Sequence, residues 1–108
     1  MTDTLPPLLE GVRILDLSAV ISGPLATGLM ADQGAEVWKV ESLAGGDMTR
    51  ALGAQHRGPT AMFATVNRNK KSLALELKDP RGREALLALA APGDGFVENF
   101  RPGATAPL

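Results

Sequence analysis

The chain has 108 residues, a formal net charge of −1 and no cysteine, so we expect one small domain without a disulfide framework, a thiolate zinc site or a cysteine nucleophile. The nearly balanced charge gives no reason to expect nucleic acid or an anionic membrane as a partner. No apolar run approaches the roughly 18–20 residues of a membrane span. Residues 1–4 lack the basic start and apolar core of a secretory signal. These features predict a cytoplasmic protein, and its single histidine, His56, cannot build a multi-histidine metal site.

The first half of the chain has the pattern of a strand, a helix and a second strand. Residues 12–17, VRILDL, form a short apolar run that is typical of a buried strand. Pro24 suits the first position of a helix with Ser22 or Gly23 as its cap, and Gly34 suits the left-handed residue that ends that helix. Residues 35–40 predict the second strand and complete one βαβ unit.

The second half continues the alternation of strands and helices. Its pattern predicts a glycine-rich loop over 42–59, a short helix over 60–66, a third strand over 72–77, a helix capped by Asp79 with Pro80 at its first position, and a short strand at 96–97. Strands that alternate with helices predict an α/β fold with a parallel sheet and helices on both faces.

Three segments combine residue types that suit a phosphorylated ligand. Residues 18–24 form the turn from the first strand to the first helix, where α/β sheets bind ligands and where helix N-termini attract anions. Residues 67–71, NRNKK, place several cations before the third strand. Residues 98–103, ENFRPG, offer an amide, an aromatic ring and a guanidinium after the fourth strand. Each segment also has a structural alternative: a plain packing loop, a solvated basic loop and a Pro-Gly turn.

Other polar residues favour structural roles. Asp16 and Glu41 lie near strand ends and resemble a catalytic carboxylate pair, but nothing in the sequence fixes the distance between them. Gly45-Gly46-Asp47 indicates a tight turn that could also help to close a pocket. His56 is interpreted as a loop histidine because the sequence gives it no fixed partner.

The order of the motifs is more specific than any one of them. LxGVRILDLS, SGPLAT, DQGAEVWKVE, GGDMTR, NRNKKSLALELK, GREALLxL and VENFRPG follow one another from Leu9 to Gly103. In this order they resemble the start of the family III CoA-transferases, the CaiB/BaiF family that includes formyl-CoA transferases. The resemblance implies a Rossmann-like CoA-binding region over 9–103, an incomplete half of the family's large domain, with an N-terminal extension over 1–8 and an atypical tail over 104–108.

The resemblance also implies a chemistry. In this family an aspartate attacks an acyl-CoA thioester and CoA passes to a carboxylic acid, so CoA thioesters are substrates and no cofactor is bound covalently. Family members form interlocked homodimers. The positions that match the family's CoA contacts are Ile21, Ser22, Leu75, Glu76, Leu77, Lys78, Asn99, Phe100 and Arg101. Arg68, Lys70 and Lys71 are added as phosphate contacts on physical grounds alone.

The same resemblance places the catalytic aspartate downstream of ENFRPG, and neither Asp79 nor Asp94 matches its motif. We therefore expect no catalytic residue in this chain, which we interpret as a truncated transferase that is inactive alone. Two alternatives stay open: a stand-alone CoA-binding module or subunit, and a fragment of an enzyme similar to the α-methylacyl-CoA racemases. Asn99 favours the transferases, because racemases often carry glycine at that position.

Overall fold

A four-stranded parallel sheet organises the protein. The structure, a computed structural model, describes residues 5–53 and 58–105. Its strands stand in the order β3-β2-β1-β4, where β1 is Arg13–Asp16, β2 is Glu36–Glu41, β3 is Lys71–Ala74 and β4 is Gly95–Val97. The helices of the described residues are α1 (Ser22–Asp32), α2 (Ala61–Asn67) and α3 (Pro80–Ala90), with a 3₁₀ turn at Met48–Ala51. The α/β fold class predicted from the sequence is confirmed.

The central strand β1 pairs with neighbours on both sides. Ile14 lies opposite Val37 of β2 and Gly95 of β4, and all pairings are parallel. On the far side of β2, Glu41 lies opposite Ala74 of β3. Because the strands are parallel, their carboxyl ends and the loops that follow them meet at one edge of the sheet.

The two faces of the sheet carry different helices. Alternate side chains of a strand point to opposite faces. Ile14 and Val37 pack with Ala31 of α1 on one face, whereas Leu15 and Val40 pack with Leu86 of α3 on the other. The helices therefore cover both faces, as the alternation of elements predicts. Among the described residues no helix combines the length and the hydropathy that crossing a bilayer requires.

Most helix ends agree with the sequence pattern. Asp79 caps α3 by accepting a hydrogen bond from the amide of Arg81, and Gly34 has a φ of +102° just after α1. The cap predicted for α1 is wrong, because the helix already includes Ser22 and its cap position, Ile21, has no side-chain hydrogen bond. The third strand is shorter than predicted: β3 ends at Ala74. The amide of Leu75 still donates a hydrogen bond to the carbonyl of Glu41 at 2.9 Å, and residues 76–78 follow at the carboxyl edge of the sheet.

Gly82 permits the close approach of α3 to the segment that follows β3. A Cβ atom at this position would lie 2.0 Å from the carbonyl oxygen of Glu76. Alanine favours a helix over glycine by about 0.8–1.0 kcal/mol. The clash opposes that gain, since overpacking costs about 1–3 kcal/mol and the obstacle is backbone. We expect the Gly82→Ala variant to have a net lower free energy of unfolding in urea titrations.

A matched control lies in the same helix. Ala88 is exposed on α3, so the Ala88→Gly variant measures the propensity difference there, about 1 kcal/mol, without a packing change. A Gly82→Ala variant more stable than the unmodified chain would show that α3 shifts freely away from Glu76.

Candidate functional site

A cavity of about 290 Å³ lies at the carboxyl edge of the sheet. The segments that follow all four strands contribute to its wall. Ser18 and Ala19 follow β1, and Phe100 follows β4. Glu41 ends β2 and Asp47 lies in the loop after it, while residues 75–78 follow β3. The side chains of Leu17, Val40, Leu75 and Leu77 add apolar surface. An edge of this kind, where strand-to-helix loops converge, is where open α/β sheets bind their ligands.

The structure brings part of the predicted contact set together. Leu75, Glu76, Leu77, Lys78 and Phe100 all line the cavity. Their roles in binding stay predictions, but their placement around one cavity fits a common ligand. The strand predicted over 72–77 includes Leu75, Glu76 and Leu77, whereas β3 ends at Ala74 and these three residues line the cavity.

Asn99 does not line the cavity, but it holds a residue that does. Its Oδ1 accepts a hydrogen bond from the amide of Ala19 at 2.9 Å, and its Nδ2 donates to the carbonyl of Ala19 at 2.8 Å. The side chain therefore fixes a lining residue. Ile21, Ser22 and Arg101 are exposed and do not line the cavity, so their predicted contacts gain no support from its geometry.

The basic segment is engaged within the chain. Arg68 pairs with Asp32 at 2.8 Å and Lys71 with Glu36 at 2.6 Å. None of the three cations predicted to contact phosphate, Arg68, Lys70 and Lys71, lines the cavity. Lys71 begins β3 and so lies toward the opposite edge of the sheet. The phosphate contacts predicted for these cations therefore have no geometric support.

Asp16 and Lys70 form a buried ion pair, with the Lys70 Nζ 3.0 Å from the Asp16 Oδ2. The Asp16 carboxylate also accepts hydrogen bonds from the Thr27 hydroxyl at 2.7 Å and from the amide and hydroxyl of Ser18. Burial raises the pKa of Asp16, but these hydrogen bonds and the Lys70 charge outweigh that effect and hold the pKa below its ordinary value. All its partners are internal, which supports the structural interpretation of Asp16.

Glu41 likewise has internal partners. Its carboxylate accepts hydrogen bonds from Arg50 at 2.7 and 2.8 Å and from the amide of Asp47 at 2.7 Å. Glu41 thereby anchors the loop after β2 to the end of the strand. Of the turn at 45–47, Gly46 and Asp47 line the cavity, which fits the prediction that the turn helps to close a pocket.

The buried pair of Lys39 and Asp47 was not predicted from the sequence. Their charged atoms lie 2.9 Å apart, and their side chains are only 2% and 1% exposed. Burial raises the pKa of Asp47, yet hydrogen bonds from Thr49 and Lys39 bring the pKa below its ordinary value. The position of Lys39 could have indicated its burial, because Lys39 is two residues from the core residue Val37 and so lies on the same buried face of the strand.

Metal ligation has no geometric basis in the part of the chain that the structure describes. No group of three histidine, cysteine, aspartate or glutamate side chains there is placed to hold an ion. His56 lies outside the described residues, so its interpretation as a loop histidine stays a prediction.

Comparison with known proteins identifies the family. The sequence model of CoA-transferase family III matches residues 9–108. Succinyl-CoA:glutarate CoA-transferase of Mus musculus is 52% identical over 102 residues, which cover 94% of this chain and 23% of that protein. Formyl-CoA:oxalate CoA-transferase of Afipia carboxidovorans is 47% identical over 96 residues, which cover 88% and 23%.

A solved structure agrees. A CaiB/BaiF family protein from Brucella suis superposes with a TM-score of 0.87 at 32% sequence identity, over 95% of this chain and 28% of that one. The chain thus spans about a quarter of the length of the relatives that it matches. The sequence match, the shared fold and the family model agree over nearly all of its length, and the chain belongs to CoA-transferase family III.

Proposed function

We propose that this chain forms the CoA-binding part of a family III CoA-transferase, with the CoA molecule held in the cavity at the carboxyl edge of the sheet. The observation that carries this proposal is the convergence of residues 75–78 and Phe100 on one cavity. These residues match the family's contact positions, yet the two segments are far apart in sequence. Their meeting at one cavity supports a shared ligand.

The chemistry of the wall suits a molecule with apolar and phosphorylated parts. Leu17, Val40 and the ring of Phe100 provide surface for a base or for the pantetheine arm. The Lys78 ammonium can donate hydrogen bonds to a phosphate. CoA thioesters are therefore the proposed partners of this chain.

The activity proposed for the whole protein is the transfer of CoA between an acyl-CoA thioester and a carboxylic acid. The names of the mouse and Afipia relatives both specify transfer to a dicarboxylate, which favours a transferase over the racemase alternative. We also propose that the whole enzyme is located in the cytoplasm and assembles as an interlocked homodimer.

The proposal places the nucleophile outside the residues of this chain. Asp79 caps α3, and Asp94 accepts a hydrogen bond from the Arg13 amide at 2.9 Å. Both aspartates therefore have structural partners. Alone, the chain is proposed to bind CoA without transferring it, as a binding module would.

Replacing Phe100 with alanine is expected to weaken CoA binding. Phe100 is 41% exposed and lines the cavity, and stacking of a base on an aromatic ring contributes about 1–3 kcal/mol. We expect the Kd to rise by at least about fivefold in calorimetric titration of the folded chain with CoA.

Phe96 provides the matched control. It is 44% exposed on β4 but does not line the cavity, so the Phe96→Ala variant should bind CoA like the unmodified chain. Absence of heat at millimolar CoA from a folded sample would refute the proposed function. An equal loss of affinity for CoA in the Phe96→Ala and Phe100→Ala variants would refute only the role of Phe100.

A further inference from the structure

The loop between β1 and α1 is held by side chains from three other parts of the chain. We define the β1–α1 loop as residues 17–21. Asn99, after β4, forms both of its amide hydrogen bonds with Ala19. Lys39, in β2, donates from its Nζ to the carbonyl of Ser18 at 3.2 Å. Asp47, in the loop after β2, accepts from the amide of Val20 with both carboxylate oxygens at 3.3 Å.

The β1–α1 loop adopts a conformation that its sequence does not favour. Val20 has a φ of +74°. A β-branched residue is a rare outlier in this left-handed region, because its Cβ crowds the backbone. Such a conformation persists only where surrounding contacts fix it, and these positions concentrate at ligand sites. The contacts on Ser18, Ala19 and Val20 are therefore what holds the loop in place.

Like the pair of Asp16 and Lys70, the pair of Lys39 and Asp47 is almost completely buried. An ion pair in a protein interior loses hydration, and apolar residues of similar volume often stabilise a fold equally well. Stability alone therefore does not account for the pair. The two charged groups contribute directional contacts, because each forms a hydrogen bond with the β1–α1 loop that an apolar side chain cannot form.

Asp47 is itself oriented by its neighbours. Its Oδ1 accepts hydrogen bonds from the amide of Thr49 at 2.9 Å and from the Thr49 hydroxyl at 2.8 Å. The carboxylate is thus fixed by Thr49 and Lys39 while it accepts from Val20. Ser18, Ala19 and Asp47 all line the cavity, so the pair and the wall form one connected unit.

We propose that Lys39 and Asp47 are positioning residues that hold the β1–α1 loop in the conformation that fits CoA. This inference rests on the proposed function for the identity of the ligand. It assigns to the pair no direct contact with the reacting atoms. The part of the inference that concerns geometry is that the pair immobilises Val20, and this part does not depend on CoA.

The test compares two double variants of the full chain. Lys39→Met with Asp47→Asn removes both charges of the buried pair while keeping the side-chain volumes similar. Arg13→Met with Glu36→Gln removes a pair of 3.1 Å between the amino ends of β1 and β2, away from the cavity, and with it the exposed ion pair of Glu36 with Lys71. Calorimetry gives the Kd for CoA, and hydrogen exchange followed by NMR gives the protection of the Val20 amide relative to the Val37 amide.

We expect the Lys39/Asp47 variant to bind CoA at least about tenfold more weakly, with selectively faster exchange at Val20. The Arg13/Glu36 variant should change neither quantity by more than about twofold. If the Lys39/Asp47 variant does not fold, Thr49→Val takes its place, because it removes one hydrogen bond that orients Asp47 and leaves the ion pair intact. It should show the same two changes at smaller size.

The outcomes separate the two proposals. An unmodified chain that is folded but does not bind CoA refutes the proposed function, and exchange at Val20 then still decides whether the pair immobilises the loop. An unmodified chain that binds CoA, beside a folded Lys39/Asp47 or Thr49→Val variant with unchanged Kd and unchanged Val20 exchange, overturns the positioning role. A uniform rise in exchange at Val20 and Val37 also overturns it, since that result indicates only a general loss of stability.

Discussion

Replacing Asp16 with alanine is expected to lower the free energy of unfolding by about 3–5 kcal/mol, the usual cost of leaving one partner of a buried ion pair alone. The Asp16 side chain is fully buried and that of Lys70 is 2% exposed. The substitution leaves the Lys70 ammonium without its carboxylate and removes an acceptor from Ser18 and Thr27. Domains of this size are stable by only about 5–15 kcal/mol, so a large part of the variant should be unfolded in mild urea.

Asp32 offers the matched comparison. It pairs with Arg68, whose side chain is 63% exposed, and solvent-exposed pairs contribute little to stability. The Asp32→Ala variant should therefore unfold at nearly the same urea concentration as the unmodified chain. A double variant, Asp16→Asn with Lys70→Met, should recover part of the loss, because no unpaired charge is then buried. Equal midpoints for Asp16→Ala and Asp32→Ala would show that the buried pair is hydrated in solution.

Acid should unfold the chain in a defined pH window. Asp16, Glu41 and Asp47 have pKa values below their ordinary values of 3.8 for aspartate and 4.5 for glutamate. A carboxyl group whose pKa is lower in the folded than in the unfolded state stabilises the fold fully above its unfolded pKa. This contribution is lost as the pH falls through the folded pKa, since the unfolded chain then binds more protons.

The free energy of unfolding should thus be nearly constant from pH 7 to about 5, and should fall steeply below about pH 4. Urea titrations at successive pH values measure this slope. The Lys39→Met/Asp47→Asn variant lacks one of the lowered carboxyl groups, so its stability should depend less on pH in the same window. A chain whose stability is unchanged between pH 5 and pH 3 would contradict the ionised state of these pairs.

Much of the fold could be predicted from local patterns. The branched apolar residues of 12–17 and 35–40 indicated buried parallel strands, and Asp79-Pro80 indicated where α3 begins. Those signals lie within a few residues of the structure that they specify. The start of α1 could not be found in the same way, because Ile21 occupies the cap position without a side-chain hydrogen bond. No residue type there marks the boundary.

The candidate site was only partly predictable, for a different reason. Resemblance to the family pointed to residues 75–78 and Phe100, which the structure places on one cavity. The basic segment invited a phosphate interpretation, but sequence alone does not show that Asp32, Asp16 and Glu36 face its cations. The Lys39 pair depends on tertiary packing in the same way, since Asp47 reaches it only once the loop after β2 folds back.

The neighbouring positions of β1 and β4 in the sheet have a consequence for synthesis on the ribosome. Asn99 fixes Ala19 from 80 residues away along the chain, and β4 pairs with a strand made near the beginning of translation. Contacts between such distant segments tend to form late, because a long stretch of chain must first be ordered. A nascent polypeptide released only as far as α3 contains β1, β2 and β3 but lacks β4 and the part of the cavity wall that Phe100 forms. The proposed capacity to bind CoA should therefore arise only after Asn99 and Phe100 have left the exit tunnel.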